Sequence, residues 1–156
     1  MRDANGNVLE LKRDPQRNLQ EIRTPHGHWI RFSYDDPLRI KRAEDDAGHW
    51  AQYEYNADGM LKSAILSSGR ERHYEYNGVL MTRITDENGR MLVRNWYSQR
   101  FLQRQEFGSG AVYSYSYDWP HDEYLPRRVW VTLPDQTKHE LSVAHSVPEF
   151  IKTYHP

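Results

Sequence analysis

The chain has 156 residues, of which 37% are hydrophobic and 13% aromatic, and 21 basic against 22 acidic residues leave a net charge of −1. This balance provides no field that would attract nucleic acid or an anionic membrane. The lack of cysteine excludes disulfides, thiolate catalysis and cysteine zinc sites. No apolar run reaches the roughly 18 residues of a membrane helix, so we expect no membrane insertion.

Glycine and tyrosine recur along the chain with one common period. The glycines follow one another at steps of 21, 21, 21, 20 and 21 residues, at Gly6, Gly27, Gly48, Gly69, Gly89 and Gly110. The tyrosines follow at steps of 21, 21, 21 and 20 residues, at Tyr34, Tyr55, Tyr76, Tyr97 and Tyr117. Two residue types that keep one period over five units indicate an internal structural repeat.

The residues before each tyrosine alternate between apolar and polar. Ile30, Phe32 and Tyr34 share one parity, and Arg31 and Ser33 lie between them. Alternation with period two predicts a half-buried strand. The departures from this pattern are Arg13 in the tyrosine slot of the first unit, Arg72 in the Ile30 slot and Asn95 in the Phe32 slot.

Turn residues follow each tyrosine and precede each periodic glycine. Asn77-Gly78 is typical of a two-residue type I′ hairpin turn. Asp86-Glu87-Asn88-Gly89 is typical of the second turn, since Asp and Asn cap their own turns and Gly supplies positive φ. One unit is therefore strand, turn, strand, turn. We predict an all-β fold in which tandem antiparallel β-hairpins of about 21 residues form a continuous twisted sheet.

The repeat fades after Tyr117, so we divide the chain into a repeat sheet of five to six units over residues 1–118 and a remainder over 119–156. The remainder reads as a loop, one more hairpin around Pro134-Asp135-Gln136, and a tail. We expect it to dock on the sheet. For the tail, a short helix over residues 148–152 and a docked strand both remain open.

The segment Tyr55-Asn56-Ala57-Asp58-Gly59-Met60-Leu61 resembles the signature of the YD-repeat, or RHS-repeat, family. That signature runs Tyr, Asp or Asn, two variable residues, Gly, one variable residue, Leu. Tyr34-Asp35 carries the literal pair, and Tyr76-Asn77 and Tyr117-Asp118 resemble it. The resemblance covers roughly residues 5–118.

The resemblance implies a shell-like sheet, since bacterial RHS proteins, toxin-complex B and C components and teneurins coil such repeats into hollow shells. It also implies a bacterial secreted or cell-surface location, with the export signal outside this chain. The chain looks like a slice of shell wall. The implied partners are the rest of a larger RHS-type chain or further copies of this chain, joined through sheet edges.

Several residue patterns suggest chemistry but have simpler explanations. His26 and His28 face one side of a strand, yet no third zinc ligand has diagnostic spacing. Counting from Asp86, a calcium loop would need Glu at the position of Tyr97. Ser109 lacks the glycine spacing of a nucleophile elbow. The pairs Asp35-Asp36 and Asp45-Asp46 fall in predicted turns. We therefore expect no metal, no cofactor and no catalytic residue.

Three hypotheses about function follow. The first is a non-catalytic structural segment that forms sheet wall or a self-assembling fibre. The alternative is a carbohydrate-binding or adhesive module that uses the candidate ligand-binding residues Trp29, Trp50 and Trp96. Columns of stacked rings that hold the sheet together are the simpler explanation of these tryptophans and of the repeat tyrosines. An enzyme such as a glycosidase or nuclease has only eight histidines and many carboxylates in its favour.

Overall fold

The computed structural model describes residues 8–36, 38–119, 126–144 and 147–156, and the side chains of residues 143–150 are outside this description. Within these ranges the regular secondary structure consists of strands alone. Fourteen antiparallel strands form one sheet that is not closed. Each strand lies beside its neighbours in sequence. The predicted all-β fold of tandem antiparallel hairpins is therefore confirmed.

The chain divides into two compact units, Met1–Tyr74 and Glu75–Pro156. The strands up to this division are β1 (Glu10–Arg13), β2 (Leu19–Arg23), β3 (Trp29–Asp36), β4 (Arg39–Asp45), β5 (Trp50–Tyr55), β6 (Leu61–Leu66) and β7 (Glu71–Asn77), which spans it. The second unit continues with β8 (Leu80–Asp86), β9 (Met91–Ser98), β10 (Phe101–Phe107), β11 (Val112–Asp118), β12 (Arg128–Thr132), β13 (Lys138–Ala144) and β14 (Val147–Tyr154).

One turn geometry joins consecutive repeats. The Gly48 amide donates to the Asp45 carbonyl at 3.2 Å, and the Asp45 amide donates to the His49 carbonyl at 2.9 Å. This is a three-residue hairpin loop whose last residue needs positive φ. The described periodic glycines all have φ between 75° and 93°: Gly27, Gly48, Gly69, Gly89 and Gly110. Arg17 and Gln136 take the same turn position with φ of 71° and 70°.

The turns that follow the tyrosines vary more. The expected type I′ turn at Asn77-Gly78 is wrong, because Asn77 belongs to β7 and only Gly78, at φ 57°, has positive φ there. A type I′ turn needs positive φ at both central residues. That geometry occurs instead between β9 and β10, where Gln99 and Arg100 have φ of 48° and 74°. Strand register imposes it, since Ser98 pairs with Phe101.

Strand pairing continues through the C-terminal part of the second unit. β12 pairs with β11, and β12 and β13 form a hairpin around Pro134-Asp135-Gln136. The helix considered for residues 148–152 is wrong, because β14 pairs with β13 from Ala144↔Val147 to Lys138↔Tyr154. A helix of five residues is unstable alone, whereas the edge of β13 offers a full ladder of hydrogen bonds.

Each unit presents two chemically different faces. Residues paired directly across antiparallel strands lie on the same side, which assigns the faces from the register. The tyrosine face includes Ile22, Ile30, Phe32, Tyr34, Ala43, Ala51, Tyr53, Tyr55 and Ala64 in the first unit, and Val93, Asn95, Tyr97, Gln105, Tyr113, Tyr115, Tyr117, Val129 and Val131 in the second. The polar face lies opposite and carries charged residues such as Glu21, Arg31 and Glu44, whereas Arg72, which pairs with Ala64, lies on the tyrosine face.

Candidate functional site

The ladders between consecutive repeats are short. β2 and β3 pair over three residue pairs, and so do β4 with β5 and β10 with β11, in each case beside the glycine turn. At the other end of these ladders the adjacent strands no longer exchange backbone hydrogen bonds. The carbonyls there need another donor, because an unsatisfied half-buried carbonyl is unfavourable.

Four of the five repeat tyrosines, Tyr34, Tyr55, Tyr97 and Tyr117, supply that donor through their hydroxyl groups. Each of these four donates to the carbonyl of a hydrophobic residue that is first or second in the preceding return strand, 15 or 16 residues earlier in the chain. The bonds join Tyr34 to Leu19, Tyr55 to Ile40 and Tyr97 to Met81 at 2.8 Å each, and Tyr117 to Leu102 at 2.5 Å. The hydroxyl thus ties one repeat to the next where the ladder ends.

The hydroxyl role was missed from the sequence, where these tyrosines were read as ring columns. The available signal was the choice of Tyr over Phe in that slot in all five units from Tyr34 to Tyr117, since an apolar position alone would accept either ring. Burial of the ring against the sheet raises the pKa of Tyr55 and of Tyr117. Both hydroxyls therefore stay protonated donors over the physiological range.

In the second unit the tyrosine face combines aromatic pairs with one polar cluster. Phe107 contacts Tyr113 edge to face with ring centroids 5.6 Å apart, and Phe101 contacts Tyr117 at 5.4 Å and Trp119 at 4.4 Å. Such pairs stabilise neighbouring strands.

Asn95, which departs from the apolar pattern, lies buried in that polar cluster. Its amide nitrogen donates to the Met81 carbonyl at 3.0 Å, and its oxygen accepts from Gln105 at 3.0 Å. Asn95 therefore departs from the apolar pattern as a buried polar residue whose amide nitrogen and oxygen both have hydrogen-bond partners.

The tyrosine face has no covering layer within the described ranges. No hydrophobic side chain of these residues is buried, and the rings of the repeat tyrosines are only half-buried. Globular domains normally bury such a face against a second layer of strands or helices. The tyrosine face is therefore a candidate interaction surface in each unit.

The candidate tryptophans Trp29, Trp50 and Trp96 all lie on the polar face. Each is half-buried and stacks with arginine: Arg31 lies 4.0 Å from the Trp29 ring centre, Arg42 lies 4.6 Å from Trp50, and Arg94 and Arg104 each lie 4.8 Å from Trp96. Cation–π contact stabilises each pair. The expected stacking of ring on ring is wrong for these three residues, because a guanidinium takes the ring face.

A buried carboxylate organises the first strands of the polar face. Glu21 has only 7% of its side chain exposed, accepts from Arg23 at 2.7 Å and Arg31 at 2.8 Å, and lies 3.4 Å from Lys12. The hydrogen bonds from Arg23 and Arg31 lower the pKa of Glu21 to about 2. Arg31 therefore bridges Glu21 and Trp29 in one continuous cluster.

Histidines pair with the aspartates of one glycine turn. His28 Nδ1 lies 2.8 Å from Asp46 Oδ2, and His49 Nδ1 lies 2.9 Å from Asp45 Oδ2. These hydrogen bonds lower the pKa of both aspartates. His26 has no such partner in the described ranges. The histidine pair considered for zinc is therefore not gathered with further ligands, and the described residues contain no group of three or more His, Asp or Glu arranged to hold a metal ion.

Of the other patterns considered for chemistry, the Asp86 and Ser109 segments form turns, whereas Asp35 and Asp36 belong to strand β3, so the turn predicted for that pair is wrong. Asp86 Oδ1 accepts the amides of Asn88 and Arg90 at 3.0 and 2.9 Å, and the Asp35 and Asp36 carboxylates approach Arg39 at 3.7 and 3.6 Å. The Ser109 Oγ accepts the Ala111 amide at 3.4 Å.

In comparisons with known proteins, no family model matches the chain, and no curated protein matches it. In the described ranges, no helix has the length and apolar character needed to cross a membrane.

Proposed function

We propose that this chain is a non-catalytic structural segment of a YD-repeat, RHS-type protein of the bacterial cell surface or secreted fraction, in which it forms sheet wall or a self-assembling fibre. The observation that carries the proposal is the uncovered tyrosine face. Its aromatic side chains are half-exposed, and no hydrophobic side chain in the described ranges is buried. A face of this kind favours a partner surface.

The repeat itself supports a mechanical role. The hydroxyls of Tyr34, Tyr55, Tyr97 and Tyr117 bond to the preceding repeat, so that stability accumulates between neighbours as in other repeat arrays. The partners that fit are the remainder of a larger RHS-type chain, or further copies of this chain joined through sheet edges and the tyrosine face. Strand edges offer unpaired backbone groups for such joining.

A matched pair of substitutions on one strand tests the proposal. Tyr53 on β5 belongs to the tyrosine face, whereas Gln52 beside it belongs to the polar face. A charge at the centre of a buried interface is strongly unfavourable, and a charge on an exposed polar face is not. In light scattering on an eluting column, we expect assemblies from the wild type and from Gln52→Glu, and monomers from Tyr53→Glu.

Circular dichroism of each eluted species provides the folding control. Equal assembly of both variants, with strand content retained, would contradict an interface on the tyrosine face. If Tyr53→Glu loses its strand signal, the milder Tyr53→Ser is compared in its place, with the same expectation of weakened assembly.

A carbohydrate-binding or adhesive role is the second candidate. The observation in its favour is that Trp29, Trp50 and Trp96 all stay half-exposed on the polar face, beside arginine side chains. Aromatic rings with neighbouring polar groups suit sugar binding. Binding on a glycan array that Trp50→Ala or Trp96→Ala removes would support this role, and silence of the wild-type protein across the array would refute it.

A further inference from the structure

Two arginines face each other on adjacent strands of the polar face in the second unit. Arg83 of β8 pairs directly with Arg94 of β9. Like charges in directly opposed positions repel and destabilise a sheet. A pair of this kind is therefore unexpected unless an anion lies between the two guanidinium groups.

The carboxylates nearby do not neutralise this pair. Glu75 approaches Arg83 only to 3.9 Å, which is beyond hydrogen-bond distance. Glu106 pairs with Arg94 in the register, but its carboxylate accepts from Arg104 at 3.2 Å. Arg94 is exposed and has no ion pair with any described residue. Three arginines and two glutamates thus leave one excess positive charge.

An unsatisfied donor marks the same place. The Nε of Arg83 is buried from solvent and donates no hydrogen bond to any described residue. Buried polar side-chain atoms normally have a partner, so each exception needs an explanation. The Nε of Arg39 is also without a hydrogen bond, but two aspartate carboxylates lie within 3.7 Å of that guanidinium. Arg83 has only the distant Glu75.

A cleft of about 370 Å³ opens at this position and is lined by Glu75, Arg83, Arg94 and Trp96, among others. Its volume suits one small ligand group, such as a single sugar ring. The arginines would hold a carboxylate, which matches the planar fork of a guanidinium. Glu75 would accept hydrogen bonds from hydroxyl groups, and it disfavours a simple inorganic polyanion by like charge.

We infer that the Arg83–Arg94 cleft is a binding site for an acidic sugar, in which the two guanidinium groups hold the carboxylate of a uronate and Glu75 accepts its hydroxyl groups. Trp96 contributes to the lining of the cleft. The site lies on the polar face, so it does not depend on the assembly proposed for the tyrosine face.

The test is a titration of the full chain with trigalacturonate in about 0.15 M salt, which screens unspecific attraction between charges. Nuclear magnetic resonance of the tryptophan indole groups reads out binding, with the Trp96 signal assigned through Trp96→Phe. We expect a saturable shift of that signal. Methyl-esterified trigalacturonate keeps the sugar rings and removes the charge, and we expect it to leave the signal unmoved.

Variants locate the site. Arg94→Gln, at an exposed position, should keep the fold and weaken binding at least about tenfold by removing one charge-assisted contact. Arg42→Gln is the matched control, because Arg42 also stacks on a tryptophan but is hydrogen-bonded to its own carboxylate, Glu44. It should bind like the wild type. Arg83→Gln should weaken binding as Arg94→Gln does.

Three results would overturn the inference. They are an unmoved Trp96 signal in the wild type, equal binding by Arg94→Gln, and equal binding of the methyl ester. Oligoglutamate that binds as tightly as trigalacturonate would also overturn it, since that result means a carboxylate site without recognition of the sugar. None of these results bears on assembly through the tyrosine face.

Discussion

At the scale of single residues, the tyrosine hydroxyl makes the hydrogen bond that recurs from repeat to repeat. It satisfies a carbonyl at the point where two neighbouring repeats stop sharing a ladder, as Tyr55 does for Ile40. Phenylalanine would fill the same space, but the carbonyl would then accept a hydrogen bond from water or would have no donor. The tyrosine that recurs about every 21 residues therefore contributes a hydrogen bond as well as an aromatic ring.

Replacing Tyr55 by Phe should destabilise the protein by about 1 kcal/mol, the usual net value of one such hydrogen bond. The matched control is Tyr53→Phe, because the Tyr53 hydroxyl lies on the same strand and face but makes no hydrogen bond within the described ranges. Urea unfolding of all three proteins at one concentration measures the difference. Equal midpoints for the two variants would show that the Tyr55 bond contributes nothing.

Acid should weaken the Glu21 cluster in a defined pH window. The pKa of Glu21 is lowered from 4.5 to about 2 by Arg23 and Arg31. A carboxyl group whose pKa is lower in the folded than in the unfolded chain stabilises the fold fully at pH values above its unfolded-state pKa. This contribution disappears as the pH falls toward its folded-state pKa. The loss attributable to Glu21 should therefore fall between about pH 5 and pH 2.

Thermal midpoints of wild type and Glu21→Gln across that window test this expectation. The variant should be less stable at neutral pH, and the gap between the two proteins should close as the pH falls toward 2. Asp58→Asn serves as the control, because the Asp58 carboxylate makes no hydrogen bond or ion pair in the described part of the chain, and its curve should run parallel to that of the wild type. A gap that stays constant with pH would contradict the role of Glu21.

At the scale of elements, the turns that end in the periodic glycines are what the sequence predicts best. Asp86 and Gly89 determine their turn locally, through a side-chain cap and a positive φ. The turn at Gln99-Arg100 has no such signal, since register alone forces positive φ on two residues that disfavour it. The tail strand β14 was one of two open alternatives, because its partner β13 lies outside any local window.

The arginine stacks on the tryptophans could not be predicted for a related reason. Arg42 is on β4 and Trp50 on β5, so their contact depends on the register across a glycine turn. Bulges shift that register elsewhere in the sheet, as between Leu102 and Arg104. Composition alone identified the tryptophans as candidates, but it did not identify which cations cover them.

Restoring good turn chemistry between β9 and β10 should stabilise that hairpin. Left-handed backbone costs an ordinary residue about 1–2 kcal/mol, and Asn-Gly is the preferred type I′ pair. The double substitution Gln99→Asn with Arg100→Gly should therefore stabilise the protein by about 1 kcal/mol. Gly78→Ala in the preceding turn, where φ is 57°, should act in the opposite direction. Urea midpoints that move in the same direction for both changes would contradict this account of the turns.

At the scale of the whole molecule, the described residues of the sheet form no apolar core. In the described ranges, polar side chains such as those of Glu21, Ser63 and Asn95 are buried, and no hydrophobic side chain is buried. The apolar area that would stabilise a domain stays half-exposed on the tyrosine face. An array of this kind gains stability when another layer or another copy covers that face.

The most direct test is the mass of the wild-type chain in solution over a concentration series, by light scattering on an eluting column with negative-stain imaging of each fraction. We expect ordered oligomers or fibres whose share grows with concentration, because covering the tyrosine face and the strand edges stabilises the chain. A sharp monomer peak at the highest concentration, together with slow amide exchange in β1 and β14, would contradict this expectation.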